Sequence, residues 1–374
     1  MKKLLIILSM FALSCTSPQK KPAKIWAWMV GKTTITEGQW DYYFEKAARA
    51  GIDAVLLECH GGYPEASDSA AIQIIQNALP FAQKYGIELH AWIWTLNRTE
   101  HALRAAHPDW YQVNALGESC LDINLYDREH YRWLCPSKPE TTQYLKGRIA
   151  ELAKIKGLAG IHLDFIRYPD AILPYGLHES RNVVQDRVYP QWDFCYCSTC
   201  RENFKALTGV DPLDLQDPTA NEQWMQYRWD ALSKVAGELC AEIKKYKKTA
   251  SVAVFATPEE SRKLVRQSWS DFQNVDYFFP MIYHKFYNWE DYHVLTATKE
   301  GVIELKEKNN PGVLCSGLFV GHVPKDRILE FMLYARTGGS QGIAFFSIDV
   351  IDRDYEYWKA LQGAIQTFKE TGAR

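Results

Sequence analysis

From residue 24 onward, short runs of apolar, β-branched and aromatic residues recur along the chain with helical segments between them. Continuously apolar runs of that length predict strands buried on both faces, and the intervening segments predict helices packed over them. Strands are expected at 25–30, 54–59, 88–94, 160–166, 250–256, 275–283, 313–320 and 342–349. The stretch 38–51, "GQWDYYFEKAARAG", ends on Gly51, as a helix ahead of a strand commonly does. After the third strand, Ser137, Pro139 and Glu140 have the pattern of a capping box, and Leu145, Ile149 and Leu152 follow at helical spacing. Eight strands alternating with helices predict an α/β fold, a single (β/α)8 TIM barrel over residues 24–374. Such a barrel takes roughly 250 residues, which leaves about a hundred for insertions. The long ones are 95–136, after strand three, and 170–220, after strand four. Both follow C-terminal strand ends, the face on which barrels build their active sites.

The opening stretch has a different character. Lys2 and Lys3 precede an apolar run from Leu4 to Leu13, which suits a signal peptide and is too short for a membrane span. Ser14 before Cys15 resembles a bacterial lipobox, although Ala12 stands where leucine is usual. On that pattern residues 1–23 are a signal peptide, a lipid anchor at Cys15 and a polar tether. The protein is then exported and lipid-anchored in the cell envelope, periplasm or outer membrane, and meets the membrane only through Cys15. A plain secretory signal is the alternative. A net charge of −2 recommends no nucleic-acid partner.

Export permits disulfides, which bears on the remaining cysteines. Cys195, Cys197 and Cys200 in "CYCSTC" form the dense cluster. They could hold a structural zinc if a fourth ligand came from elsewhere, or form a local disulfide that leaves one thiol. Either role is structural rather than catalytic. Cys59, Cys240 and Cys315 lie in apolar runs and read as buried small hydrophobes.

The chemistry concentrates at the expected strand ends. In "GIHLDFIRYP" (160–169), Ile161, Leu163 and Phe165 alternate with His162 and Asp164, so the polar pair shares the face opposite the apolar set. Arg167 and Tyr168 follow. By the same alternation Glu58 and His60 share a face of strand two. His90, Trp92 and Trp94 share one of strand three, with Asn97 and Arg98 just beyond. Strand six ends in Tyr283 and His284, strand eight in Ser347 and Asp349, and Glu259 and Glu260 follow strand five. Carboxylates, imidazoles and Trp rings at a barrel mouth are equipment for a polyhydroxylated substrate. Plainer roles exist for several: His90 as a core histidine, Arg167 as a partner orienting Asp164, and Asp349 as a cap on the last helix. Asp164 is the hardest to explain structurally, because an unpaired carboxylate inside a barrel is costly.

The segments "AGIHLDFIRYPD", "YGIELHAWIWTLNR" and "FPMIYHKFY", together with "CPSKPE" and "FCYCSTCRENF", resemble the bacterial glycosyl-hydrolase-like family ten of TIM-barrel glycosidases. The resemblance runs from about residue 24 to the end. It implies a glycoside hydrolase fold, often on exported lipoproteins, with the strand-four aspartate as the leading catalytic candidate. Xylanase-type barrels differ, since strand seven here ends without a carboxylate.

The leading expectation is therefore hydrolysis of a poly- or oligosaccharide by two carboxyl groups, with no cofactor. Asp164 is the expected nucleophile or base. Glu58 is the first choice for the acid, then Asp349, then Glu259 or Glu260. His60, Trp92, Trp94, Asn97, Arg98, His162, Arg167, Tyr168, Tyr283 and His284 are the candidate substrate contacts. Two alternatives stand beside it. One is a metal-dependent amidase or deacetylase using His60, His162, Asp164 and His284. The other is a lipid-anchored glycan-binding protein without turnover.

Overall fold

The computed structural model describes residues 23–61 and 67–372; the lipid anchor expected at Cys15 lies outside them. Eight parallel strands close into a barrel in chain order. They are β1 (Lys24–Val30), β2 (Ala54–His60), β3 (Glu88–Trp94), β4 (Gly160–Asp164), β5 (Thr249–Phe255), β6 (Tyr277–Met281), β7 (Val313–Phe319) and β8 (Gly342–Phe346). The helices are α1 (Glu37–Ala50), α2 (Asp68–Lys84), α3 (His101–Ala106), α4 (Pro139–Ala153), α5 (Ser198–Thr208), α6 (Glu222–Lys245), α7 (Pro258–Val265), α8 (His293–Glu307), α9 (Ile328–Thr337), α10 (Ile348–Ile351) and α11 (Tyr355–Gly372). None of the described helices is long and apolar enough to cross a membrane.

Alternation along the strands divides two cores. Ile25, Ala27, Val55, Leu57, Ile161 and Leu163 face outward onto the helices. Trp26, Trp28, Leu56, Trp92, Phe279 and Cys315 fill the interior, so the barrel is solid rather than a pore. Space there is tight. A Cβ on Gly160 would lie 2.3 Å from Nδ1 of His90, which is fully buried with Nε2 3.4 Å from the Glu88 carboxylate. His90 is thus the core histidine its position suggested.

Local signals account for both ends of α1. Thr36 and Gln39 close a capping box on α1, and Gly51 ends that helix in the left-handed region. The start of α4 differs from expectation. Lys138 occupies its cap position without a side-chain hydrogen bond, and Pro139 is the first helical residue. Ser137 instead accepts a hydrogen bond from the Tyr227 hydroxyl at 3.0 Å. Pro139 needs no partner for a missing N–H, which lessens the demand for a capping box.

The two insertions are built against each other above β3 and β4. Leu134 N–H donates to Leu96 within the first; between the two, Asn114 bridges to Phe194 and Tyr196 N–H donates to Val113. Tyr126 donates its hydroxyl hydrogen to the Asp170 carbonyl. Asp193, fully buried, is held by Arg228 at 2.6 Å and Arg266 at 2.9 Å, which clamps the second insertion to α6 and to the residue after α7. Losing Asp193 would leave two buried guanidiniums facing each other without their anion, a loss typically of several kcal/mol. All eight cysteines of the described residues are free thiols, so of the two alternatives for "CYCSTC" the local disulfide is not formed.

Candidate active site

Asp164 is the last residue of β4, and the strand stops there for a local reason. Phe165 has φ +49°, a left-handed conformation costly for a bulky side chain and typical of functional sites. That turn does two things. It brings the Phe165 N–H onto Asp164 Oδ1 at 2.6 Å, and it lays the Phe165 ring on Trp94 with centroids 4.1 Å apart. Phe165 therefore does not share the helix-facing side of Ile161 and Leu163, as strict alternation predicts. The other oxygen of Asp164 accepts from the Trp92 indole N–H at 3.0 Å. Two donors hold this carboxylate, one on each oxygen, and only 7% of the residue is exposed.

Glu58 lies one strand beyond β3, inward-facing like Leu56 and Ala54 before it, and 5% exposed. Burial pushes its carboxyl up to about 7, and the Asp164 charge adds to the rise. The Trp94 indole pulls it down, Asp349 raises it slightly and Lys32 opposes. Asp164 is pushed up to about 6, again by burial first, against the Phe165 N–H, the Arg167 charge and the Trp92 N–H. The two carboxyls thus share one poorly hydrated place, and the one with two hydrogen-bond donors is the easier to ionise.

Aromatic side chains lie beside the two carboxyls, Trp94 next to Glu58 and Tyr283 next to Asp164. Trp94 meets His130 at 5.6 Å as well as Phe165. Tyr283 packs on Phe319 and Phe346, and the Asp164 charge adds to burial in raising its phenol well above the ordinary range. Arg167 lies 4.8 Å from the Trp133 ring and 5.1 Å from Phe165, and pairs with Asp170 at 3.3 Å. Its charge acts on Asp164 without a direct bond, so it orients the site through this cluster. His130, Phe165, Phe319 and Phe346 were not among the expected contacts. A signal was available for Phe165, Phe319 and Phe346, each at or just past a strand end.

Several expected contacts are elsewhere. The β2 register slips between Glu58 and His60, so a bulge turns His60 to the helix side. There it lies with Glu100 at 3.2 Å and Arg98, whose guanidinium reaches Glu100 at 2.6 Å and Tyr144 at 3.3 Å. His60 and Arg98 thus form a buried cluster against α2 and α4, away from Glu58. His162 does face inward, but one layer too deep. Its Nε2 accepts from the Trp28 indole at 3.1 Å, and Nδ1 meets Ser251 Oγ at 2.9 Å. Burial holds it well below the ordinary histidine range, so it is a neutral core residue. Asn97 is spent on the backbone N–H of Arg132. Tyr168 is buried beside Cys135, Cys195 and Cys200. His284 packs on Phe331 and lies 3.1 Å from Asp291. Asp349 accepts from the Val30 N–H at 2.9 Å, fastening the end of β1, while remaining close enough to raise Glu58. Glu259 and Glu260 form the first turn of α7 and face Glu300 of α8.

The three histidines of the amidase alternative are therefore dispersed: one in the helix layer, one in the interior and one under α9. Among the described residues, the group with metal-ligand geometry is made of four cysteines instead.

Comparisons with known proteins agree with this architecture. The glycoside hydrolase domain of PgaB (BpsB) from Bordetella bronchiseptica superposes with a TM-score of 0.61 at 14% identity, over 92% of this chain and 99% of that one. A β-galactosidase from Halorubrum lacusprofundi gives 0.65 at 11% identity, over 92% of this chain and 58% of that one. The catalytic domain of β-amylase from Paenibacillus polymyxa gives 0.60 at 12% identity, over 93% and 99%. At such identities the likeness is one of fold. No curated protein matches the chain in sequence. Residues 65–310, more than half of the chain, match the family described as "Putative glycosyl hydrolase domain", and the chain belongs to that family.

Proposed function

We propose that this protein hydrolyses a glycosidic bond in a poly- or oligosaccharide, with Asp164 as nucleophile or base and Glu58 as acid. The observation that carries the proposal is the pair of buried carboxyls whose surroundings set them apart: Glu58 raised to about 7, Asp164 to about 6. Between those two values that order leaves about one proton on the pair, held mainly by Glu58. A glycosidase needs this division, one group to protonate the leaving oxygen and one anion opposite an oxocarbenium-like transition state. The donors from Trp92 and Phe165 keep Asp164 anionic despite its burial. Trp94, Phe165 and Tyr283 supply flat apolar faces against which sugar rings stack. Membership of a glycosyl hydrolase family supports the same reaction class.

Export and lipid anchoring through Cys15 belong to the same proposal and point to an envelope or environmental glycan. The test is release of new reducing ends from a panel of polysaccharides, peptidoglycan strands included. Cleavage of at least one, abolished in Asp164→Asn, is expected. Binding of a glycan without cleavage anywhere on the panel would favour the non-catalytic alternative.

A further inference from the structure

Cys135 closes the first insertion, and Cys195, Cys197 and Cys200 lie in the second. Folding brings all four sulfurs within 4.8 Å of one another, every one of them buried. Cys135 Sγ is 3.6 Å from Cys197 Sγ and 3.5 Å from Cys200 Sγ. A disulfide needs about 2.05 Å. Four sulfurs placed about 2.3 Å from a tetrahedral zinc stand about 3.8 Å apart, close to the separations here. Four thiols packed together with no shared ligand are hard to justify on packing grounds, since two apolar side chains would fill the space without reactivity.

We propose that Cys135, Cys195, Cys197 and Cys200 bind one zinc ion in a closed, structural site of four thiolates. Binding replaces four S–H bonds by four Zn–S bonds and releases four protons, with no change of oxidation state. Cys197 caps α5 and Cys200 lies in its first turn, so the positive end of that helix faces the anionic thiolates. The Tyr168 hydroxyl, buried beside the cluster and without a hydrogen-bond partner among the described residues, is available as an outer donor. The ion would tie the two insertions together. It would also fix Trp133, two residues from Cys135, whose ring lies against Arg167 and Phe165 beside Asp164. The site is separate from the carboxyl pair and has all four positions filled by protein, so it would not take part in hydrolysis.

The experiment is metal analysis of the full chain purified without chelator from zinc-supplemented cells. About one zinc per chain is expected, released by a mercurial thiol reagent, and falling at least about tenfold in Cys200→Ser. Should that variant fail to fold, the wild-type chain still decides the matter. Denatured with chelator but without reductant, it should have all four cysteines alkylated. Metal well below one equivalent, iron in place of zinc, or four cysteines protected as two disulfides would overturn the proposal.

Discussion

Replacing Glu58 by glutamine should remove activity and yet make the protein more stable at alkaline pH. The ordinary carboxyl value for this residue is 4.5, and burial raises it to about 7 in the folded chain. The folded state therefore binds the proton more tightly than the unfolded state does. Its contribution is full below pH 4.5 and is lost as pH rises through about 7. At 1.36 kcal/mol per unit, the whole change is about 3 kcal/mol, of which about 2.5 kcal/mol falls between pH 5 and pH 8. Glutamine cannot ionise, so that part of the pH dependence should vanish. For a chain of this length, unfolding entropy near 2.1 cal/mol/K per residue converts 2.5 kcal/mol into about 3 °C. The assay is thermal unfolding of wild type and Glu58→Gln at pH 5 and pH 8. The variant should gain about 3 °C on wild type between the two. A gain below about 1 °C would mean that Glu58 ionises normally, and the assignment of the acid would fail with it.

Other outcomes follow from the same geometry. The kcat/KM of the wild type should be bell-shaped, rising near pH 6 as Asp164 ionises and falling near pH 7 as Glu58 loses its proton; a flat profile between pH 5 and 8 would contradict it. Trp92→Phe keeps an aromatic, though smaller, ring and removes the N–H donor to Asp164. It should move the acidic limb to higher pH and lower kcat about tenfold, and an unmoved limb would show that this hydrogen bond does not hold the anion. Cys197→Ser should lower the melting temperature while leaving turnover of the folded fraction largely unchanged. A selective loss of rate with normal melting would place the cysteines in the chemistry.

Side-chain alternation was enough to place Glu58 and Asp164 on inner faces, and the strand–helix rhythm was enough for the barrel. What alternation cannot supply is depth. His162 faces the right way but sits one layer below the mouth, where a neutral imidazole fills space between Trp28 and Ser251. Nor can it anticipate a change of backbone course. One extra residue at the β2 bulge sends His60 outward, and one left-handed residue lays the Phe165 ring on Trp94. Both events occur at the strand ends nearest the two carboxyls, where local rules are commonly broken for function. Cys135 was missed for another reason. It is a single cysteine some sixty positions from its partners, and only the tertiary fold joins them.

The most direct test of the account is Asp164→Asn, nearly isosteric and unable to act as nucleophile or base. On a polysaccharide that the wild type cleaves, turnover should fall at least about a thousandfold while the glycan is still bound, because the aromatic faces are untouched. Turnover within about tenfold of wild type would contradict the account and remove Asp164 from the mechanism.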